Sequence, residues 1–256
     1  MAGSLVVLGL GIRAIGHVSV EAIAQMETAD TLLYLVGDAT AENLVTGLHP
    51  QAFSLALYYQ AGRPRADAYE AMIDHVLGSV RRGDRTVVAC YGHPAICAYA
   101  PHEAIRRARA EGFVAVMLPA VSSVDCLFAD LGVDPADGGC QMYEASEFFV
   151  NVCRPDPSSH LILWQVGMFG DWNHRAGTAD ARDLTLLVQK LCTVYPSSHL
   201  ATLYEASTSV GRGPQLVRVP LGALASVPMQ RGATLYLPPS CSRTADPAWL
   251  HMLEAT

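Results

Sequence analysis

The chain has 256 residues, of which 51% are hydrophobic and 16% charged, and its net charge at neutral pH is −7. This length can build the cores of two modest domains without a metal or disulfide framework, and the acidic balance argues against a nucleic-acid partner. The seven cysteines form no CxxC pair, and neither a basic leader nor an apolar run of ~20 residues is present. We therefore expect a cytoplasmic protein with no membrane partner.

Short apolar runs alternate with helical patterns in the first half of the chain. The expected strands are SLVVLGL, TLLYLVGD, AFSLALYY, RTVVAC and FVAVMLP. Helices are predicted between them, one capped by Ser19, one over Ala39–Leu48, and one that starts near Arg65 and ends at Gly83. This order is typical of a parallel sheet covered by helices on both faces.

The second half keeps this α/β character with different spacing. Its expected elements are HLILWQVG, ADARDLTLLVQKLCTVYP, HLATLYEAS, PQLVRVPLGAL and GATLYLPP. The weak region around Leu118–Val121 is the predicted boundary, which gives two α/β domains over 1–118 and 119–256. Small ligands bind in clefts between domains and beyond the carboxyl ends of parallel strands, so we expect a ligand site there.

Glycines follow the first strand at positions 9, 11 and 16, in the stretch VLGLGIRAIG. Glycine lets the backbone approach a ligand closely, but the spacing GxGxxxxG differs from the dinucleotide fingerprint and argues against NAD. A tight turn and a ligand loop both remain open for this segment.

Three further motifs carry groups suited to a ligand. In YGHPAIC, Pro94 holds His93 extended at the carboxyl end of the fourth strand, which favours a ligand loop over a purely structural histidine. In LPAVSSVDC, Ser122 and Ser123 open a helix, where capping and ligand binding are compatible. Gln165 ends a buried strand and needs several hydrogen bonds. Thr234 of GATLYLPP is expected to face the same cleft.

The stretch YYQAGRPRADAY concentrates tyrosine and arginine in a chain that is only 7% aromatic. Arg65 and Tyr69 lie four residues apart, on one face of the predicted helix, and Tyr59 ends the preceding segment. A guanidinium near a phenol favours the phenolate and can also hold an oxyanion. An arginine stacked on a tyrosine at a subunit interface is the structural alternative.

Taken together, the glycine-rich loop, YGHP, LPAVSSVDCLFADLGVDP, YEASEF, HLILWQVG and LYLPP resemble the borosin peptide backbone α-N-methyltransferases, within the wider tetrapyrrole methylase superfamily. The similarity runs from about Ser4 to Pro239. It implies a tetrapyrrole-methylase-like fold of two α/β domains with S-adenosylmethionine (SAM) in the cleft between them. It also implies S-adenosylhomocysteine as product, no metal, and a homodimer.

The resemblance also implies roles for single residues. Arg65 and Tyr69 match the catalytic pair of the family, and Tyr59 matches a tyrosine of the same pocket. Alanine stands at Ala95 and Ala120, where family members usually have glycine, and at Ala56, where some have a further tyrosine. The positions that correspond to SAM contacts are Tyr91, His93, Ile96, Ser122, Ser123, Gln165, Ala206, Ala233 and Thr234.

Only a short stretch follows Pro239, whereas fused borosins carry their substrate peptide as a C-terminal extension. We therefore expect a split enzyme that methylates backbone amides of a separate precursor peptide, in a complex of one enzyme dimer with two precursors. Tyr69 is the expected base, and Arg65 with Tyr59 would stabilise the oxyanion, although the sequence allows the two tyrosines to exchange roles. The alternatives are a C-methyltransferase of corrin or porphyrin precursors and a catalytically silent scaffold.

Overall fold

The computed structural model describes residues 2–175 and 177–254, and the chain forms two compact units. The first unit takes the described residues within Met1–Val133, Asp171–Gly177 and Ala206–Gln215. The second takes those within Asp134–Gly170, Thr178–Glu205 and Leu216–Thr256. The first unit thus continues past the predicted boundary at 118. Beyond that position, Ala120 still packs against Gly9 of the first strand. Each unit combines a β-sheet with helices, which confirms the α/β class.

The first unit contains a parallel five-stranded sheet in the order β3-β2-β4-β1-β5. Its strands are β1 (Ser4–Gly9), β2 (Thr31–Leu35), β3 (Phe53–Ser54), β4 (Arg85–Cys90) and β5 (Val114–Met117). Its helices are α1 (Ala14–His17), α2 (Val20–Glu27), α3 (Ala39–Leu48), α4 (Arg65–Arg81), α5 (Tyr99–Ala110) and α6 (Ser123–Leu131). Ser19 caps α2 by accepting a hydrogen bond from the Ala22 amide, as predicted.

Both faces of this sheet are buried, which explains why its strands read as nearly continuous apolar runs. Alternate residues of a strand point to opposite faces, so Val7 and Val88 pack in the cluster that contains α4 and α5. Their neighbours Leu8 and Val87 pack in the cluster that contains α2 and α3. The periodicity of the sequence therefore leads directly to a sheet covered by helices on two sides.

The prediction of a full strand over AFSLALYY is wrong. Only Phe53–Ser54 is extended, and a 3-10 helix follows over Leu55–Tyr58. Leu55 and Tyr58 lie three residues apart and both pack on the core, whereas Leu57 is exposed. That spacing matches the three residues per turn of a 3-10 helix rather than the alternation of a strand.

The second unit contains a mixed five-stranded sheet in the order β6-β7-β10-β8-β9, in which β10 is antiparallel to both of its neighbours. Its strands are β6 (Cys140–Glu144), β7 (His160–Trp164), β8 (Leu200–Glu205), β9 (Gln215–Pro220) and β10 (Thr234–Leu237). Its helices are α7 (Ala145–Val150), α8 (Ala181–Leu191) and α9 (Pro247–Glu254). Among the described residues, no helix has both the length and the apolar character that crossing a bilayer requires.

Candidate functional site

The residues predicted to be catalytic lie together in the first unit, on the segment that joins β3 to α4. Tyr59 directly follows the 3-10 helix, Arg65 is the first residue of α4, and Tyr69 lies one turn farther along. Tyr59 and Arg65 line an open cavity of about 150 Å³. Among the described residues that line this cavity Tyr69 is not found; its ring packs against that of Tyr59.

A row of aromatic rings crosses this part of the unit. The rings of Tyr59 and Tyr69 meet edge to face, with centroids 6.3 Å apart. On one side of the pair, His174 stacks on Tyr59 at 4.6 Å. On the other side, the ring of Tyr99 lies 5.9 Å from that of Tyr69. Such contacts fix ring orientation, so both phenol oxygens are held in defined positions.

Arg65 has a carboxylate partner that the sequence prediction missed. Its guanidinium Nη2 donates a hydrogen bond to Oδ2 of Asp171 at 3.1 Å, and both side chains are largely buried. The other carboxylate oxygen of Asp171 accepts the backbone amides of Asn173 and Arg175. The stretch DWN shortly after the strand HLILW is typical of an Asx-turn, and this is the signal that could have indicated an ordered polar loop.

The electrostatics of the pair distinguish its two phenols. Burial raises the pKa of Tyr59 above its usual range, and the nearby Tyr69 phenol raises it further. The positive charge of Arg65 acts in the opposite direction and lowers this pKa. Because burial is the largest of these causes, Tyr59 keeps its proton at neutral pH.

The loops after β1 and β4 meet at the carboxyl end of the first sheet. Gly11 and Gly92 exchange two backbone hydrogen bonds, of 3.3 and 3.1 Å. A Cβ atom on Gly9 would overlap the carbonyl oxygen of Gly92, so this approach requires glycine. Gly16, by contrast, lies inside α1 with space around it. The backbone here brings two loops into close contact, and both interpretations of the glycine segment, a tight turn and a ligand loop, stay predictions.

The YGHP motif forms a compact turn beyond β4. The Nδ1 atom of His93 accepts the amide of Ala95 at 3.1 Å, and the carbonyl of His93 accepts the amide of Ile96. The side chain of Tyr91 is 42% exposed. The turn thus positions His93 through its own backbone and leaves Tyr91 accessible to a ligand.

Ser122, the first of the two serines after β5, caps α6, as the simpler interpretation predicted. The Ser122 hydroxyl accepts the amide of Asp125, while the Asp125 carboxylate accepts both the amide and the hydroxyl of Ser122. Ser123 is the first helical residue. Ala206 lies on the segment Ala206–Gln215 of the same unit.

The remaining predicted contacts lie in the second unit, at adjacent ends of β7 and β10. Leu235 pairs with Leu163, so continuing this antiparallel register places Ala233 opposite Gln165. Thr234 opens β10 and is buried. Gln165 adopts a left-handed backbone conformation with φ of 57°. This conformation raises the free energy of any residue other than glycine or asparagine, and it occurs preferentially at functional positions.

These groups fit the chemistry of SAM, which offers a nucleoside, an amino-acid end and a sulfonium. They comprise backbone amides and carbonyls, hydroxyls, one carboxamide and aromatic faces, with no arginine or lysine among the predicted contacts. Phosphate groups are commonly bound by arginine and lysine, so a set without these cations suits a nucleoside without phosphates better. Among the described residues, no group of three His, Cys, Asp or Glu side chains is placed to hold a metal ion.

The sequence is similar to those of several named proteins. The chain is 34% identical over 256 residues to a "methyltransferase/ribosomally synthesized cyclic peptide dendrothelin A precursor" of Dendrothele bispora, covering 98% of this chain and 61% of the relative. It is 36% identical to a type I borosin cyclic peptide precursor of the same kind from Coprinopsis marcescibilis, covering 93% and 62%. The chain thus spans about three fifths of the length of these relatives.

Solved structures with the same fold include uroporphyrin-III-C-methyltransferase from Thermus thermophilus, with a TM-score of 0.64, 15% identity and 93% coverage of each chain. The cobalt precorrin-4 methyltransferase of cobalamin biosynthesis matches with a TM-score of 0.63 and 15% identity, over 92% of this chain and 94% of that one. These likenesses confirm the predicted fold class. Residues 4–166 match the model of the tetrapyrrole (corrin/porphyrin) methylases, and the chain belongs to this family.

Proposed function

We propose that this protein is a SAM-dependent methyltransferase that methylates backbone amide nitrogens of a peptide. The main support is the pair of adjacent phenols, Tyr59 and Tyr69, whose rings are in contact beside a largely buried arginine–carboxylate pair. The relatives named as methyltransferase and cyclic peptide precursor point to a peptide as the substrate class.

Amide nitrogen is a poor nucleophile because its lone pair is delocalised into the carbonyl group. The substrate N–H proton must therefore leave as the new bond forms. We assign Tyr69 as the base that accepts this proton. Tyr59, whose pKa is raised by burial, keeps its own proton, and we assign it the role of hydrogen-bond donor to the Tyr69 oxygen during the proton transfer.

Arg65 suits the stabilisation of negative charge that develops on the carbonyl oxygen of the substrate. Its position at the start of α4 is fixed by the helix, and its guanidinium lines the cavity beside Tyr59. A preorganised cation of this kind stabilises a transition state without reorganisation. Bound SAM would supply the electrophilic methyl group, so the amide gains N–CH₃ as it loses its proton.

The test is methyl transfer from SAM to apolar synthetic peptides, measured by mass spectrometry with fragmentation that locates the methyl group. We expect Tyr69→Phe and Arg65→Ala to abolish transfer while SAM binding, measured by calorimetry, survives. Gln165→Ala is expected to weaken SAM binding instead. Full methylation by either of the first two variants would remove the catalytic assignment.

A parallel incubation with uroporphyrinogen III separates the proposal from the tetrapyrrole alternative. Methylation of this compound but of no peptide would favour the tetrapyrrole enzyme, and SAM binding without any transfer would favour a silent scaffold. The separate precursor and the 2:2 assembly stay predictions, since the relatives are named as methyltransferase and precursor in one chain. Light scattering of the enzyme with and without added peptide tests the proposed homodimer.

A further inference from the structure

A short segment from the second half of the sequence, Asp171–Gly177, belongs to the first unit and lies against Arg65. Three contacts join it to the proposed catalytic residues. The Asp171 carboxylate binds the Arg65 guanidinium, the carbonyl of Trp172 accepts the amide of Arg65, and His174 stacks on Tyr59. The segment therefore engages both the backbone and the side chain of one residue and the ring of another.

We propose that Asp171 is a positioning residue, which orients the Arg65 guanidinium and offsets its positive charge beside the two phenols. This inference rests on the proposed function. It assigns a role to a residue 106 positions away from Arg65 in the sequence, and it makes this segment part of the active site.

The geometry separates the two tasks of the carboxylate. Oδ1 accepts the amides of Asn173 at 3.2 Å and Arg175 at 2.9 Å, which fixes the carboxylate relative to its own loop. Oδ2 then faces Arg65 Nη2 at 3.1 Å. A carboxylate that is anchored through one oxygen presents the other in a set direction, so a mobile arginine side chain gains one preferred orientation.

Because the Arg65–Asp171 pair is largely buried, its electrostatic interaction is screened less than that of an ion pair on the surface. The side chain of Asp171 is 7% exposed and that of Arg65 is 18% exposed. By comparison, the Arg81–Glu111 pair at the other end of α4 is 49% and 33% exposed. Solvent screens the exposed pair strongly. Removing one member of the buried pair instead leaves a charge with reduced compensation.

The sign of the electrostatic effect follows from the charges. An arginine near a phenol favours the phenolate, and a nearby carboxylate opposes it. Replacing the Asp171 carboxylate by a neutral amide therefore strengthens the positive potential of Arg65 at the two phenols and favours the phenolate form of the base. Apart from Arg65 and Asp171, the titratable and charged groups near the two phenols include, among the described residues, Tyr58, Arg63, Asp67, Cys90, Tyr99 and His174, with Glu70 bound to Tyr99.

Two substitutions separate charge from positioning. Asp171→Asn keeps an acceptor for the loop amides and removes the charge. We expect it to shift the acidic limb of the kcat–pH profile to lower pH by about 1 unit. Asp171→Ala also removes the anchor. It is expected to lower kcat by about 10- to 100-fold with little change in KM, and Asp171→Glu is expected to restore part of that loss.

An NMR measurement without SAM or peptide gives an independent readout. In ¹⁵N-arginine-labelled protein, an orientated guanidinium gives separate Nη–H signals because its rotation is slow, and loss of these signals in Arg65→Lys assigns them. We expect them to merge in Asp171→Ala. The matched control is Glu111→Gln, which removes the exposed ion pair of the same helix and is expected to leave the signals, kcat and the pH profile unchanged.

The results separate this inference from the proposed function. If the wild-type enzyme methylates peptides, while Asp171→Ala keeps its kcat and Asp171→Asn keeps its pH profile, only the role of Asp171 is refuted. If the wild-type enzyme transfers no methyl group to any peptide, both proposals fall. Should Asp171→Ala not fold, the pH profile of Asp171→Asn decides alone.

Discussion

Replacing Gly9 by alanine tests whether the close packing of the loops after β1, β4 and β5 contributes to the stability of the first unit. The added methyl group would overlap the carbonyl oxygen of Gly92 and lie 2.6 Å from Cβ of Ala120 and 2.8 Å from Cδ of Pro94. Ordinary contacts between such atoms are about 3.5–4 Å, so the loops must separate by roughly 1 Å.

The cost of this separation has two parts. Overpacking a tight site costs about 1–3 kcal/mol. The paired hydrogen bonds between Gly11 and Gly92 also weaken, at about 0.5–1.5 kcal/mol for each bond lost. We therefore expect Gly9→Ala to lower the free energy of unfolding by about 2–4 kcal/mol.

The measurement is urea unfolding followed by circular dichroism, with Gly16→Ala as the matched control. A Cβ on Gly16 would lie 4.0 Å from Cβ of Arg13, an ordinary van der Waals contact, and the residue lies in α1. That variant is expected to be neutral or slightly stabilising, since alanine favours a helix more than glycine does. Equal midpoints for Gly9→Ala and the wild type would refute the close approach of the loops.

Other predictions concern the core, a thiol and a surface carboxylate. Ile73→Ala, a fully buried position between α4 and the sheet, should cost about 2–4 kcal/mol in the same unfolding assay. Burial raises the pKa of the Cys90 thiol to about 12, so iodoacetamide at pH ~8 should label the exposed Cys97, Cys192 and Cys241 well before Cys90, as peptide mass mapping would reveal. Hydrogen bonds from Arg106 and Arg107 lower the pKa of Glu103 from 4.5 to about 2. The stability that Glu103 contributes is therefore present above pH 4.5 and lost as the pH falls towards 2. The difference in urea midpoint between the wild type and Glu103→Gln should shrink over that pH range.

Much of the fold could be predicted because local patterns and tertiary packing agree in the first unit. The helix over Ala39–Leu48 and the start of α4 at Arg65 follow from capping signals and apolar periodicity. β6 was not predicted, and all five of its residues are at least partly exposed. Its residues gain their structure from pairing with β7 rather than from an apolar pattern of their own.

The candidate site was predictable only where its residues are close in sequence. Arg65 and Tyr69 lie one turn apart on α4, so helical spacing alone places them together, and Tyr59 precedes them on the same short segment. Asp171 and His174 reach the same place through the tertiary fold, after the chain has formed β6 and β7. No periodicity connects positions separated by 106 residues, and only the folded chain reveals their contact.

The burial of Tyr59 leads to a last prediction, on the division of labour between the two phenols. If Tyr69 is the base and Tyr59 supports it by donating a hydrogen bond, Tyr59→Phe removes the support and leaves the base in place. The variant should retain a reduced kcat, about 10-fold lower if one charge-assisted hydrogen bond of roughly 1.5 kcal/mol is lost. Its acidic limb in the kcat–pH profile should move to higher pH, since the Tyr69 phenolate has lost its donor. Complete loss of activity in Tyr59→Phe, together with substantial activity in Tyr69→Phe, would reverse the two assignments.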